Sequence, residues 1–460
     1  MKSREHYKRI YLATASSGIL LVHTVGFSLV WMNCYRDIGA HYFNRGNYVL
    51  VGLYALMVYF FYRVFDGFQI GRARTFEIIY SQTFAVVCVN GIFYLQLCLI
   101  GRWKWMSNIA PMILLTCAEL AVALCWCFLV RWGYRKLYPP RKMLLVYGAY
   151  SPDNLLRKIR SREDSYDIQD IISVETDMEE IKARILVNGA VVMTDIPSQV
   201  RNEILKFCFE KNIRCYCVPK ISDVMIRSGE KIHLMDTTLL LFRNIGLSAD
   251  QRAWKRIFDV LFSLFAIILT FPIMLLIVVC IRAYDGGPVI FKQERLTVDG
   301  RVFQIYKFRS MRVDRESGEY VLTRKNDKRV TPVGKILRNL HLDELPQLFN
   351  ILRGEMSLVG PRPECPQLVA EYEQLLPEFS YRLKVKAGLT GYAQVYGKYN
   401  TTPYDKLKLD LHYIENYSFL MDLKLIVLTV KILFQKDNTE GIEPWQTSAA
   451  TEPARIEEVR

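Results

Sequence analysis

The sequence predicts three architectures in series. An α-helical membrane bundle (1–138) is followed by a small doubly wound α/β module (139–248). A mixed α/β domain with a re-entrant membrane helix comes next (249–442, helix at 257–282), and then a polar tail (443–460) expected to be disordered. Three observations carry this reading. Long uncharged stretches crowd the first 130 residues. Strand-like and helix-like runs then alternate to about Ser248. A fifth apolar stretch, interrupted by proline and flanked by cations at both ends, opens a basic C-terminal part.

Four uncharged stretches approach or exceed the roughly 20 residues that cross a bilayer. They are Ile10–Tyr35, Gly46–Tyr62, Ile78–Gly101 and Trp105–Val130. No small-x-small cleavage site precedes Arg36, so the first run reads as a span and not a removed signal. Cations set the orientation. Lys2, Arg4, Lys8, Arg9, Arg63, Arg72, Arg74, Arg131, Arg135, Lys136, Arg141 and Lys142 fall on one side. Arg36, Arg45, Arg102 and Lys104 fall on the other. The N-terminus and everything after Val130 are therefore expected in the cytoplasm. Glu119 lies inside the fourth run, where an ionisable group is a functional candidate by default. The structural alternative is a protonated carboxyl bonded to a neighbouring helix, through His23.

Beyond Pro139, Lys142–Tyr147, Ala190–Thr194 and Arg214–Pro219 read as strands, with helical stretches such as Ser198–Lys211 between them. That alternation predicts a doubly wound module. A dinucleotide site needs glycines after the first strand, and only Gly148-Ala-Tyr-Ser-Pro-Asp is present, so a structural or regulatory module is expected.

Val260–Ile281 is uncharged and long enough to span. Arg252, Lys255 and Arg256 precede it; Arg282, Lys292 and Arg295 follow. Cations at both ends place both ends on the cytoplasmic side. Pro272 removes a helix hydrogen bond in mid-run. A helix that enters, breaks at Thr270-Phe271-Pro272 and returns satisfies both facts; an ordinary proline-kinked span is the alternative.

Composition narrows the class. With 51% hydrophobic and 23% charged residues in 460, the chain is neither disordered nor a small disulfide module. A net charge of +14 asks for an anionic partner: nucleic acid, anionic lipid or a phosphorylated substrate. No nucleic-acid recognition motif is present. Six of the 11 cysteines sit in apolar runs as small core residues, and Cys215-Tyr-Cys217 is a lone pair without zinc spacing.

Between Arg282 and Asp343 there are 14 Lys and Arg against 8 Asp and Glu. Phe291–Arg309 reads as a hairpin turning at Asp299-Gly300. Period-two alternation puts Lys307 and Arg309 on one face, suited to a phosphate or simply solvated. Leu345, Leu348, Phe349 and Leu352 mark an apolar helix face that ends at Gly354. Pro346 fits only a first helical turn, making Asp343 the expected N-cap with Glu344 beside it. Two adjacent carboxylates at a helix start are favoured in the ionised form. Pro361-Arg362-Pro363 holds an arginine between two fixed φ angles. An acidic pair, a proline-locked arginine and a cationic hairpin together suggest phosphoryl transfer, in which arginines and a divalent cation offset charge repulsion.

Lys-Phe-Arg-Ser-Met (307–311), Leu-Asp-Glu-Leu-Pro-Gln-Leu (342–348), Gly-Glu-Met-Ser-Leu-Val-Gly-Pro-Arg-Pro (354–363) and Gly-Leu-Thr-Gly-Tyr-Ala-Gln-Val (388–395) recur in the order seen in the bacterial sugar transferase family. The chain from Arg252 to Ile442 resembles these monotopic polyprenyl-phosphate phosphoglycosyl transferases. The upstream parts resemble the long members that start capsule, exopolysaccharide or O-antigen repeat units. The resemblance implies the following chemistry. Asp343 would attack the sugar-bearing phosphate of a UDP-sugar bound with Mg²⁺, releasing UMP. Undecaprenyl phosphate would then take the phosphosugar from Asp343. Asp343 and Glu344 would be the catalytic and metal-binding pair, Glu344 holding Mg²⁺. Arg338 and Arg362 would bind phosphates, supported by Lys307 and Arg309. The protein would sit in the bacterial cytoplasmic membrane as a multi-pass protein with its catalytic domain in the cytoplasm. Lys255-Arg-Ile-Phe-Asp259 is similar to the family's approach to its re-entrant helix.

Two departures stand out. The family's Ser-Pro at the helix break is Phe271-Pro272 here, with Thr270 able to bond back to the preceding turn. The family's Pro-Gly before Leu-Thr-Gly is Ala387-Gly388, expected to loosen that loop. Met421–Phe434 reads either as an interfacial helix with snorkelling Lys424 and Lys431 or as a packed core helix. A catalytically silent scaffold and a Mg²⁺-dependent hydrolase are the competing functions. The sequence names neither the sugar nor whether the chain forms a homo-oligomer.

Overall fold

The structure, a computed structural model, describes residues 2–35, 44–101, 108–162, 165–242, 246–311, 329–397 and 401–433. The tail 443–460 lies outside them. The chain forms two compact units that divide between Val218 and Pro219.

The first unit opens with four helices, α1 (Lys2–Val30), α2 (Asn44–Val64), α3 (Thr75–Ile100) and α4 (Ala110–Leu137). A π-helical turn, Trp31–Tyr35, prolongs α1. All four are long and apolar enough to cross a membrane. The fourth begins at Ala110, with Pro111 in its first turn; Trp105, where the fourth uncharged run starts, lies outside the described residues. One buried polar cluster draws on every helix. His23 Nδ1 is 3.3 Å from Glu119 Oε1, and Tyr62 OH is 2.7 Å from His23 Nε2. Tyr54 OH donates to Glu119 Oε1 at 2.8 Å, and Asn90 Nδ2 donates to Oε2 at 2.7 Å. Tyr54 and Asn90 thus satisfy the Glu119 carboxyl from neighbouring helices, as a buried polar group requires, whereas His23 Nδ1 lies close by with no hydrogen bond among the described residues.

Then come β1 (Arg141–Tyr147), α5 (Asp153–Arg160), β2 (Tyr166–Ser173), α6 (Met178–Asn188), β3 (Ala190–Thr194), α7 (Ser198–Glu210) and β4 (Arg214–Cys217). The strands form a parallel sheet in the order β2-β1-β3-β4. Alternation along β1 serves two cores. Leu144 and Val146 pack with Ile181 and Ile185 of α6 and Ile204 and Cys208 of α7. Met143 and Leu145 pack with Leu156 of α5. Helices therefore cover both faces. The crevice for a nucleotide in such sheets opens where β1 and β3 diverge into oppositely directed connections. Here the two loops touch: a Cβ on Gly148 would lie 1.9 Å from the Asp195 carbonyl oxygen. Arg74 Nη2 ties the bundle to this module by donating to the Ser161 carbonyl at 3.2 Å.

The second unit begins with α8 (Ile221–Ser228) and an exposed hairpin of β5 (Glu230–Leu234) and β6 (Thr237–Leu241). The 37-residue α9 (Ala249–Asp285) follows, capped by Ser248 and ended by Gly286 at φ 66°. It is long and apolar enough to be a fifth span. Its helical assignment runs unbroken across Pro272, so the expected interruption is not a gap in the helix. Proline's φ is compatible with helix, and Thr270 Oγ1 bonds back to the Ala266 carbonyl at 2.7 Å. Strands β7 (Ile290–Leu296) and β8 (Val302–Phe308) form the expected antiparallel hairpin, turning through Asp299 (φ 57°) and Gly300 (φ 71°).

The rest comprises α10 (Pro332–Asn339), α11 (Gln347–Arg353), β9 (Ser357–Val359), α12 (Pro366–Leu375), β10 (Gly388–Thr390), α13 (Tyr392–Tyr396), α14 (Pro403–Glu415) and α15 (Phe419–Leu433). Ser228 Oγ of α8 donates to Glu415 Oε2 of α14 at 2.7 Å. Leu425 and Leu428 bury one face of α15 in the core, the packed-helix reading, while Leu420 and Val430 stay exposed. The start of α9 is bolted down three times. Lys255 Nζ pairs with Asp422 Oδ2 at 2.6 Å. Arg256 donates to the Ile351 and Leu352 carbonyls at 2.6 and 2.7 Å, and Asp259 Oδ1 accepts from the Leu358 amide at 3.0 Å.

Candidate active site

The acidic pair sits on a local structure that the sequence did not reveal. Leu342–Glu344 form a separate 3₁₀ turn, entered through His341 at φ 54°. The α-helix starts only at Gln347, after Pro346, so Asp343 is not its N-cap. Gly354 ends that helix at φ 85°, as expected. The predicted apolar face is also shifted: Phe349 is exposed, while Gln347, Leu348, Asn350 and Ile351 are buried. The reason is β8. Asn350 Oδ1 accepts from the Tyr306 amide at 3.0 Å, and its Nδ2 donates to the Gln304 carbonyl at 2.7 Å and to Glu355 at 2.6 Å. Docking that amide on the strand turns the helix.

The same contact brings β8 against the 3₁₀ turn. Lys307 points inward with Phe303 and Ile305 and meets Glu344 Oε1 at 2.6 Å. Arg362 Nη2 approaches the same oxygen at 3.4 Å. Burial alone would raise the Glu344 carboxyl, but these two cations hold it well below the usual carboxylate range. Asp343 has no ion pair among the described residues. Burial, then the charge of Glu344, pushes it up to about 6 against the opposing pull of Lys307 and Arg338. Two neighbouring carboxyls are thereby set apart in acidity.

The Arg362 loop is held from below. Gly360 donates to the Thr390 carbonyl at 2.8 Å, and Gly388 to the Pro361 carbonyl at 2.9 Å. A Cβ on Gly388 would lie 2.1 Å from the Gly360 nitrogen, so only glycine permits this approach. The loop is not loosened by Ala387. Its N–H donates to Thr297 Oγ1 at 3.2 Å, a bond proline could not make. Arg382 Nη2 donates to the Arg362 carbonyl at 3.0 Å, and Arg295 Nη1 to the Pro363 carbonyl at 3.1 Å. Beneath lies a buried charge network in which Glu364 meets Lys406, Arg382 and Arg295, and Arg382 pairs with Asp410. Burial alone would raise Glu364, yet Lys406 and Arg382 bring it down to about 2.

A small cleft results, lined by Arg295, Ile305, Lys307, Glu344, Gln347, Arg362, Pro363, Gly388 and Leu389. The structure thus brings Lys307, Glu344 and Arg362 together, with Asp343 next in the chain and Arg338 close enough to favour its ionised form. Arg309 is buried against Gly287 and does not line the cleft. Thr270 and Pro272 lie mid-helix in α9. Arg295 and Gln347 escaped the sequence reading. Their signal was membership in the cationic hairpin and in the Leu-Pro-Gln-Leu run. Among the described residues no group of three or more His, Cys, Asp or Glu gathers as a metal site.

The family model for bacterial sugar transferases matches residues 250–436. An Aeromonas hydrophila UDP-N-acetylgalactosamine-undecaprenyl-phosphate N-acetylgalactosaminephosphotransferase is 33% identical over 318 residues, 68% of this chain and 71% of that one. This chain belongs to the bacterial sugar transferase family. A Klebsiella pneumoniae UDP-glucose:undecaprenyl-phosphate glucose-1-phosphate transferase is 42% identical over 189 residues, covering 40% of this chain and 41% of that protein. A Bacillus subtilis protein named uncharacterized sugar transferase EpsL is 40% identical over 198 residues, 43% of this chain and 93% of its own. The match to the Klebsiella protein reaches less than half of that relative's length.

Proposed function

We propose that this family member transfers a hexose 1-phosphate from a UDP-sugar to undecaprenyl phosphate, as the first membrane step of exopolysaccharide or capsule repeat-unit synthesis. One observation carries the reading: Lys307 and Arg362 converge on Glu344 and, among the described residues, leave the adjacent Asp343 without an ion pair. An ionised, unpaired aspartate beside two phosphate-competent cations is equipped to act as a nucleophile toward phosphorus. An Asp343 carboxylate oxygen attacks the sugar-bearing phosphorus. The bond to the oxygen bridging to UMP breaks, and UMP leaves with that electron pair. A phosphate oxygen of undecaprenyl phosphate then attacks the same phosphorus, and the Asp343 carboxylate leaves. Arg362, Lys307 and Arg338 offset the phosphate charge, with Arg309 supporting the hairpin from its buried position.

Asp343 and Glu344 offer magnesium two carboxylates. That suits an ion usually held by one or two carboxylates plus substrate phosphates and water. When bound, it would neutralise phosphate charge; Glu344 would be its holder.

The reading includes a re-entrant α9 in the cytoplasmic membrane, with the site on the cytoplasmic side. Phe258 near its start and Met274, Ile277 and Ile281 in its second half pack on one hydrophobic core, whereas Leu269, Phe271, Leu275 and Leu276 are exposed. A straight helix of this length would extend about 55 Å, too long for one small domain to grip at both ends. Cysteines introduced at 252 and 288 should both react with an impermeant maleimide only from the cytoplasmic side. Reaction of one from each side would exclude re-entry.

The decisive assay is UMP release from a panel of UDP-sugars by nanodisc-purified protein. Asp343→Asn should abolish it, and wild type should carry a phosphosugar mass on the peptide containing Asp343. A scaffold would be indifferent to the substitution. A hydrolase would release sugar phosphate without undecaprenyl phosphate.

A further inference from the structure

Gln347 and Asn350 are two amides buried on one face of α11, at 3% and 0% exposure. Asn350 is satisfied by β8 and Glu355. Gln347 has no hydrogen-bond partner among the described residues, and its side chain lines the cleft. Its amide atoms stay open to the cleft, so what fills the cleft supplies their partner, water when it is empty and a ligand when it is occupied. A second wall residue repeats the pattern. Arg295 spends Nη1 on the Pro363 carbonyl and Nη2 on Gln293, but its buried Nε–H has no acceptor. Both unspent groups supply N–H donors, and one carries positive charge. The ligand atom that suits them is an anionic oxygen.

We propose that Gln347 and Arg295 form a phosphate subsite in the wall of the cleft, donating to a phosphate oxygen that Lys307 and Arg362 do not hold. The proposal rests on the transferase reading above and adds two substrate-contacting residues to it. The phosphate belongs either to the nucleotide or to the polyprenyl lipid, and both present the same oxygens. Gln347 carries the test, because Arg295 also supports the Pro363 loop.

The experiment measures binding of UMP by calorimetry to the full-length protein in nanodiscs, and the dependence of turnover on a short-chain polyprenyl phosphate. Gln347→Glu keeps the shape and replaces the amide donor with a charged acceptor. Gln347→Leu removes the polarity. If the nucleotide phosphate occupies the subsite, both variants weaken UMP binding at least tenfold. If the lipid phosphate does, UMP binding is unchanged and the KM for polyprenyl phosphate rises at least tenfold. In either case kcat falls less than kcat/KM. Unchanged UMP affinity and unchanged KM in either variant that folds overturn the subsite. Failure of wild type to bind UMP at all would instead sink the transferase reading.

Discussion

The Lys307 ammonium lies 2.6 Å from Glu344 Oε1, across 37 residues of sequence, and this pairing sets the two adjacent carboxyls apart. Replacing Lys307 with Met leaves Glu344 only the longer contact to Arg362. The pair is partly buried, so a loss of about 1–3 kcal/mol is expected. Thermal melting should register it, with UMP release falling at least a hundredfold. Lys307→Arg should restore stability more than activity, because a planar fork does not reproduce a point charge.

Asp343 should imprint its weakened acidity on both rate and stability. As a nucleophile it works ionised, so kcat/KM should fall as pH drops through about 6. The stability sign runs the other way. A folded value above the unfolded 3.8 means that the native state gains from protonation, and the gain is lost as pH rises through about 6. In metal-free buffer Asp343→Asn should therefore melt above wild type at pH 7.5, by roughly 2 kcal/mol. The advantage should shrink toward pH 4; an equal difference at both pH values would contradict this.

Arg382 is 2% exposed and bonds Asp410, Glu364 and the Arg362 carbonyl together. Arg382→Met strands two buried carboxylates, and a cost of about 3–5 kcal/mol is expected. Limited proteolysis should then open the 360–364 loop before global unfolding. Asp410→Asn should be milder, because burial already raises that carboxyl.

In the bundle, Glu119→Leu removes the acceptor of Tyr54 and Asn90 and the neighbour of His23. Hydrogen bonds between membrane helices are worth about 0.6 kcal/mol each on average, so a loss of roughly 1–2 kcal/mol is expected. Glu119→Gln should recover most of it in a detergent melting assay. UMP release by the folded Glu119→Gln protein should be unchanged.

Local signals were read well. Asp299-Gly300 announced a hairpin because few other dipeptides tolerate two positive φ angles, and apolar run lengths announced the five long helices. Strand β2 was missed. It lies at the sheet edge, where Asp167, Gln169 and Asp170 interrupt the apolar alternation and only Ile172 is fully buried. The Leu345–Leu352 face was misjudged because two polar side chains, Gln347 and Asn350, are the buried ones. One is claimed by a strand and the other faces the cleft.

By itself the sequence determined what depends on neighbours a few residues apart: run lengths, capping, turn geometry and the order of charged motifs. Only tertiary structure decided that Lys307 and Arg362 meet on Glu344 and that, among the described residues, Asp343 is left without an ion pair and the Gln347 amide in the cleft without a partner. Charge separation and desolvation depend on distances between residues far apart in the chain, and those distances exist only once α11 has docked on β8.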